Sequence, residues 1–341
     1  MVVFKITHPK EREKLDVKHY IIYLASFAFS LFSQLSFAVE GVDVIWNKYP
    51  NNLTQFDYSG EKLKQHWEIL SAGPAIQWPD EKYIKNTLAR YPDALQKTIE
   101  MSTKLNAHPA LKPVALGDFE PMALAIQDLF RLHYQGDFQK AYSLGERLGP
   151  VGLVAGLYSK LIHTTFLEEN SSSKRKRFSE VDKMILSVVP LLSDYDFLLF
   201  ADSYQKSRRL ELLSTSDALL SGLVGPTQKQ LKNLNSEYPN VPMYHALIAG
   251  LDAGIIERVG GFLARASYGA DEGEVIAHFD YAIESEPRLA VLYNEYIQAL
   301  LRVGVDKQSK TILNAVDHCL KLTVYSAEEA LNQLNCKRYY F

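Results

Sequence analysis

The sequence predicts an all-α protein, an irregular α-solenoid of stacked helical hairpins, and three observations predict it. From Glu61 onward apolar residues recur at spacings of three and four, the period of a helix that buries one face. Stretches of strict polar and apolar alternation bounded by turns, which would mark half-buried strands, are missing. Prolines such as Pro92, Pro121, Pro150, Pro242 and Pro287 fall at the joints between the periodic segments, where a proline opens a helix or follows its end. Short joints between helices of about ten to twenty residues make antiparallel neighbours the simplest packing.

The chain has 341 residues, of which 47% are hydrophobic and 11% aromatic, enough to bury a sizeable core without outside help. Its net charge of −3 argues against nucleic acid as a partner, because phosphate neutralisation needs a surplus of Lys and Arg on one face.

In chain order, Lys5, Lys10, Arg12, Lys14 and Lys18 precede an apolar run from Tyr20 to Phe37 that ends in Ser36-Phe37-Ala38. This is the pattern of a secretory signal peptide over 1–38, cleaved after Ala38, with an uncleaved anchor helix as the alternative. Either way the bulk of the chain is expected to be exported, periplasmic or secreted. Residues 39–60, aromatic and rich in turn formers, read as an irregular lead-in segment. Residues 61–341 read as one helical-repeat domain. Within it, Ser179 with Asp182 three residues on suggests a capping box, and Asp271 to Glu274 places acid where a helix dipole favours it. The polar stretch from Glu168 to Phe178, with its Lys174 to Arg177 run, reads as a solvated loop. Gly-Pro pairs at 149–150 and 225–226 mark turns. The only two cysteines, Cys319 and Cys336, flank an expected helix-to-helix turn over Thr323 to Ser326. An oxidising compartment would permit a disulfide there, closing a loop of about seventeen residues for roughly 3 kcal/mol; two buried free thiols are the alternative.

Internal periodicity is clearest in two places. Gly136-Asp137-Phe138-Gln139-Lys140-Ala141-Tyr142 follows a segment with apolar Leu124, Ala125, Leu129 and Leu132, and Val275, Phe279, Ala282 and Pro287 place a knob, a gap and a closing proline along a later helix face. The next segment, Leu289 to Leu301, offers Tyr293, Tyr296 and Leu300 on one side, and Thr311 to Leu322 offers Ala315, Cys319 and Leu322. These residues resemble the tetratricopeptide repeat, in which Gly ends a first helix, a small residue on the second lets the pair approach, and Pro forces the chain into the next unit. The interval from Val275 to Ala315 is 40 residues against about 34 in that family, so the repeats are irregular. The segment from Gly260 to Gly269, followed by Ala277 to Ala282 and Glu286-Pro287, is similar to the closing repeats of two divergent groups. They are the T-component proteins of tripartite substrate-binding transport systems and the microtubule-dynamics-regulator-like repeat proteins.

Catalytic spacing is absent: the sequence has no Gly-x-Ser-x-Gly elbow, no Gly-rich phosphate loop and no His-Glu-x-x-His pair. His66, His108, His133, His163, His245, His278 and His318 are dispersed along the chain and read as structural rather than as metal ligands, and Glu168-Glu169 and Glu328-Glu329 read as solvated faces. No cofactor is expected. The expectation is therefore a scaffold or adaptor, not an enzyme, that holds a protein or peptide partner on the surface lined by the first helices. A ligand-carrier component of an envelope transport system is the alternative that the T-component resemblance implies, and an all-helical hydrolase is the more distant rival.

Overall fold

Helices account for the regular structure: the computed structural model describes residues 46–340, and among them there are seventeen α-helices, one 3-10 helix and no strand. The signal stretch 1–38 lies outside the described residues. After an irregular stretch over 46–60 come two single turns, α1 (Lys62–Gln65) and α2 (Trp67–Leu70). Helices α3 (Glu81–Arg90) and α4 (Pro92–Ser102) follow, then the 3-10 helix Pro109–Leu116. The main series is α5 (Glu120–Gln135), α6 (Phe138–Gly145), α7 (Gly149–Phe166), α8 (Ser171–Val188) and α9 (Asp196–Glu211). It continues through the short α10 (Thr215–Leu220), α11 (Val224–Glu237), α12 (Pro242–Val259), the short α13 (Gly261–Tyr268) and α14 (Glu272–Ser285). The series closes with α15 (Ala290–Arg302), α16 (Lys310–Lys321) and α17 (Ala327–Lys337). None of these helices is long and apolar enough to cross a membrane.

Alternate helices make an inner ring. Helix α5 packs on α7, α7 on α9, α9 on α12, α12 on α15 and α15 on α17, and α17 returns to α5. Between successive members lie α6, α8, α11, α14 and α16 on the outside, each touching both of its inner neighbours. The inner helices run the same way, as side-chain pairs show: Tyr158 meets Phe197 and Thr165 meets Tyr204 between α7 and α9. Ala290 meets Glu329 and Asn294 meets Asn332 between α15 and α17. Helices α7 and α12 are buried on nearly every face, as helices enclosed by others must be. One continuous core therefore fills the ring, with a smaller cluster around Tyr293, Ile297 and Ile312 at the C-terminal end. An open solenoid would leave a concave inner surface free for a guest; here Phe130, Tyr134, Tyr158, Phe197 and Phe200 fill that surface, with Trp67 edge to face on Phe130 and Tyr134, and Tyr158 edge to face on Phe197.

The residues singled out for the repeat pattern do pack as knobs and gaps. Val275, Phe279 and Ala282 are fully buried, as are Ala141 and Cys319. Gly136 takes a left-handed φ of 93° at the end of α5, a conformation glycine adopts without strain. A Cβ at Gly145 would lie 2.6 Å from the Gly152 carbonyl and 2.7 Å from the Gly156 Cα, so α6 and α7 meet through bare backbone.

Several local expectations are corrected. The Glu168–Phe178 stretch is no loop: α8 starts at Ser171, capped by the Asn170 side chain accepting from the Ser173 amide, so Ser179 lies inside the helix and caps nothing. Arg177 of the basic run is buried against Trp46 and pairs with Glu168 at 3.1 Å. Leu124 faces outward at 52% exposure, and the inward face of α5 is carried by Met122, Ile126, Leu129 and Phe130. Helix α11 begins at Val224, before the Gly225-Pro226 pair, because amides of a first turn have no partner within the helix and a proline there removes nothing.

Residues 46–60 form a strap across the place where α17 meets α5. The Trp46 amide donates to Gln139 at 3.1 Å, Asn47 donates to the Leu167 carbonyl at 2.7 Å, and the Tyr58 hydroxyl donates to the Tyr325 carbonyl. Arg131 of α5 donates through Nε to the Tyr58 carbonyl at 2.7 Å, and the Tyr49 ring covers Gly136 opposite Ala327.

Candidate functional site

A wide concavity opens where the N-terminal ends of α9 and α12 face the α3–α4 pair. Asp80 caps α3 by accepting from the Tyr83 amide at 2.8 Å. This fixes the first turn of α3, in which Tyr83 leans toward the ring. Tyr91 forms the joint between α3 and α4 ahead of Pro92, and Tyr238 ends α11 ahead of Pro239. The extended backbone that a following proline favours stops the helix there and leaves each phenol at a rim. Tyr195 and Val241 stand at the N-caps of α9 and α12, and neither side chain caps its own helix. The linker before α3 is pinned by the Met243 amide donating to the Gly73 carbonyl at 3.3 Å and by Trp67 donating to the Ile76 carbonyl at 2.9 Å. Ala75, the one non-glycine residue with positive φ among the described residues (54°), lines the cleft. Such backbone strain persists only where the surroundings over-determine it.

The cleft has a volume of about 550 Å³, within the range of ligand sites. Its walls carry Tyr83, Tyr91, Tyr195, Tyr238 and Tyr244, with Asp194, Asp196 and Arg90 among them. Tyr83 and Tyr195 share a hydroxyl–hydroxyl hydrogen bond of 2.9 Å, and Tyr91 meets Tyr195 edge to face at 6.2 Å. Burial pushes the phenols of Tyr83, Tyr195 and Tyr244 up, so they remain neutral donors. Burial also raises the Asp196 carboxyl, against the Phe197 amide and Arg90, which favour its charged form. On the rim, Arg90 donates to Asp194 at 2.7 Å and holds that carboxyl below its usual range. Asp80, Asp194 and Asp196 outnumber Lys82 and Arg90 in the lining. The arrangement offers flat apolar faces, neutral hydroxyl donors and a modest negative surplus, which suits a guest with aliphatic or ring surfaces and a positive or donor group.

A second cluster lies inside the ring. Glu328 accepts from Tyr158 at 2.7 and 2.9 Å and sits 3.4 Å from His133 Nε2, whose Nδ1 faces Ser159 at 3.0 Å. Glu329 accepts from the Ala290 amide, and burial, with Glu328 beside it, pushes its carboxyl up to about 8. The reading of Glu328-Glu329 as a solvated face is thus overturned. They stand at the start of α17, where Ser326 accepts from the Glu329 amide at 3.1 Å, and the ring's closure turns both inward.

Cys319 and Cys336 are bonded to each other, tying α16 to α17 with a Cα separation of 6.4 Å. Neither lines the tyrosine cleft. The dispersed histidines include one pair that folding unites: His245 Nδ1 and His278 Nδ1 lie 2.8 Å apart. Among the described residues no group of three or more His, Cys, Asp or Glu is placed to hold a metal ion. The cleft residues had a signal in the sequence. Tyr-Pro pairs at 91–92 and 238–239 and the Asp194-Tyr195-Asp196 triplet all fall at helix joints, where an aromatic has no helix face to bury against. No family model matches the chain, nor does any curated protein or solved structure.

Proposed function

We propose that the chain is an exported scaffold or adaptor of tetratricopeptide-like hairpins that binds a protein or peptide partner by holding an extended segment in the tyrosine cleft. The single observation that carries this reading is the cleft of about 550 Å³ walled by five tyrosines. Tyrosine supplies large contact area with few torsions to freeze and a hydroxyl for a partner's backbone, which is why binding surfaces are rich in it. The negative surplus favours a segment carrying Lys or Arg. Capture of binding proteins from the envelope fraction with the mature chain, in parallel with a Tyr238→Ala chain, tests it. One partner recovered by the first and reduced at least about tenfold with the second is expected, since an aromatic anchor contact is worth about 2 kcal/mol. Equal recovery by both would remove the cleft from the account.

The carrier reading rests on the same concavity. It is favoured by the cleft being framed by α3, α9, α12 and the joints beside them rather than by a flat face, and a small molecule co-purifying in place of a protein would select it.

A further inference from the structure

Because the inner helices run one way, the ring has two unlike ends, and the tyrosine cleft opens at the end where α9 and α12 begin. At the other end, where α9 and α12 stop, the chain makes two detours. Helix α10 follows α9 and α13 follows α12 before the outer helices α11 and α14 start, whereas the joints 136–137, 167–170 and 303–309 carry no helix. Both detours add little to the core. In α10 Ala218 alone is buried, lining a groove with Gly254 and Arg258 near the end of α12, and in α13 Ala264 alone is buried.

Their large apolar side chains face solvent instead. Leu220 and Phe262 are each 85% exposed, and Leu219 and Leu263 beside them are about half exposed. Helices α9 and α12 are neighbours in the ring, and packed helix axes lie about 10 Å apart, so the two detours leave from adjoining points. A lone exposed Leu is ordinary, but large apolar side chains gathered at one end, on segments that pack little of the core, mark a surface that meets something apolar.

The place where the described chain begins indicates what it meets. Trp46 lies at this same end: its ring packs on those of Tyr142 and His163, and Asn47 next to it donates to the Leu167 carbonyl just past α7 at 2.7 Å. The strap then runs toward the opposite end, where Tyr58 reaches Tyr325 ahead of α17. Phe37, the last residue of the apolar run from Tyr20, stands nine residues before Trp46. Such a run is the part of a leader that enters the bilayer during export, and nine extended residues span at most about 30 Å. On the export reading of residues 1–38, this end of the ring is delivered to the lipid surface. Charge points to no other occupant, since exposed Arg175, Lys176 and Arg338 at this end are interspersed with exposed Glu169, Asp217 and Glu257, which favours neither a strongly acidic nor a strongly basic partner.

We propose that the end of the ring bearing α10 and α13 is a membrane-docking surface, which sets Leu219, Leu220, Phe262 and Leu263 into the headgroup boundary of a phospholipid bilayer. Shallow insertion of a few apolar side chains gives reversible binding without a spanning helix. The tyrosine cleft then opens away from the lipid, toward partners in the envelope.

Flotation of the mature chain, from Val39 onward, with vesicles of phosphatidylcholine alone or mixed with phosphatidylglycerol tests the surface. The chain from Trp46 onward packs as a unit of its own, so the leader is not needed for folding and cannot do the binding. Co-flotation with both kinds of vesicle, retained at high salt, is expected. The double variant Leu220→Ser with Phe262→Ser should bind at least about tenfold more weakly, from the apolar burial it forfeits, with its melting unchanged because both side chains are exposed. Leu116→Ser, as exposed but ahead of the start of α5, and Tyr238→Ala in the cleft should float as the unmodified chain does. Flotation with neither vesicle would overturn the proposal and leave the surface to a protein. Binding to the anionic vesicles alone that salt abolishes would assign the contact to charge, and an equal loss with Leu116→Ser would assign it to general adhesion; either result rejects the docking surface. Export is read separately, from whether the full chain is processed in cells, so a failed export reading and a surface that ignores lipid give different results.

Discussion

Glu329 shows how a single side chain sets the response of this fold to pH. Its carboxyl ionises near 8 in the folded chain and near 4.5 when unfolded, so between those values the folded state holds one proton more. Stability from this group is full below pH 4.5 and is lost as pH rises through 8, by an amount of the order of 4 kcal/mol. Melting temperatures measured from pH 6 to 9 should therefore fall, and Glu329→Gln, which keeps an oxygen for the Ala290 amide, should flatten that decline. A parallel decline in the variant would assign the loss to other groups. His163 works in the opposite sense: burial and Arg177 hold it down to about 4. Its contribution is present above pH 6.5 and is lost as pH falls toward 4. In the cleft, Asp196→Asn should weaken capture of a basic segment by about tenfold while leaving the melting temperature within a few degrees, since an amide still accepts from Phe197.

At the scale of elements, the helical content, the joints and the second-helix face of Phe279 and Ala282 were legible from periodicity, because they depend on residues three and four apart. Helix starts were less so. Asn170 rather than Ser179 caps α8, since the polar run after it carries helix formers and Phe178 and Val181 supply an inward stripe that outweighs the solvated look of Lys174 to Arg177. The α6–α7 contact was not legible at all, for glycines inside helices read only as weak points. Gly145→Ala should destabilise by about 2 kcal/mol or more, because the new methyl meets main chain that cannot step aside; chemical denaturation measures it. The joint between α16 and α17 is closed covalently by Cys319 and Cys336. Replacing both by Ala should lower stability by about 3 kcal/mol, and reductant should then leave the variant's melting unchanged.

For the whole molecule, what local pattern does not carry is which helix meets which at long range. The tyrosine cleft draws on residues from 74 to 244, and the Glu328 cluster joins α17 to α5 and α7, pairings that no spacing within a helix encodes. Individual tyrosines at helix joints were visible; their convergence was not. Tyr58→Ala removes a bond from the strap to the turn before α17. Hydrogen exchange should show faster opening of α5 and α17 together, with α12 little changed. A ring whose first and last members touch also behaves differently in time from a linear array. His133 and Glu328 are 195 residues apart in sequence, so the final contact waits on the diffusion of a very long loop. A string of repeats can nucleate anywhere and grow by neighbours. This chain should instead refold slowly, in a late step that ends only when its two extremes have found one another.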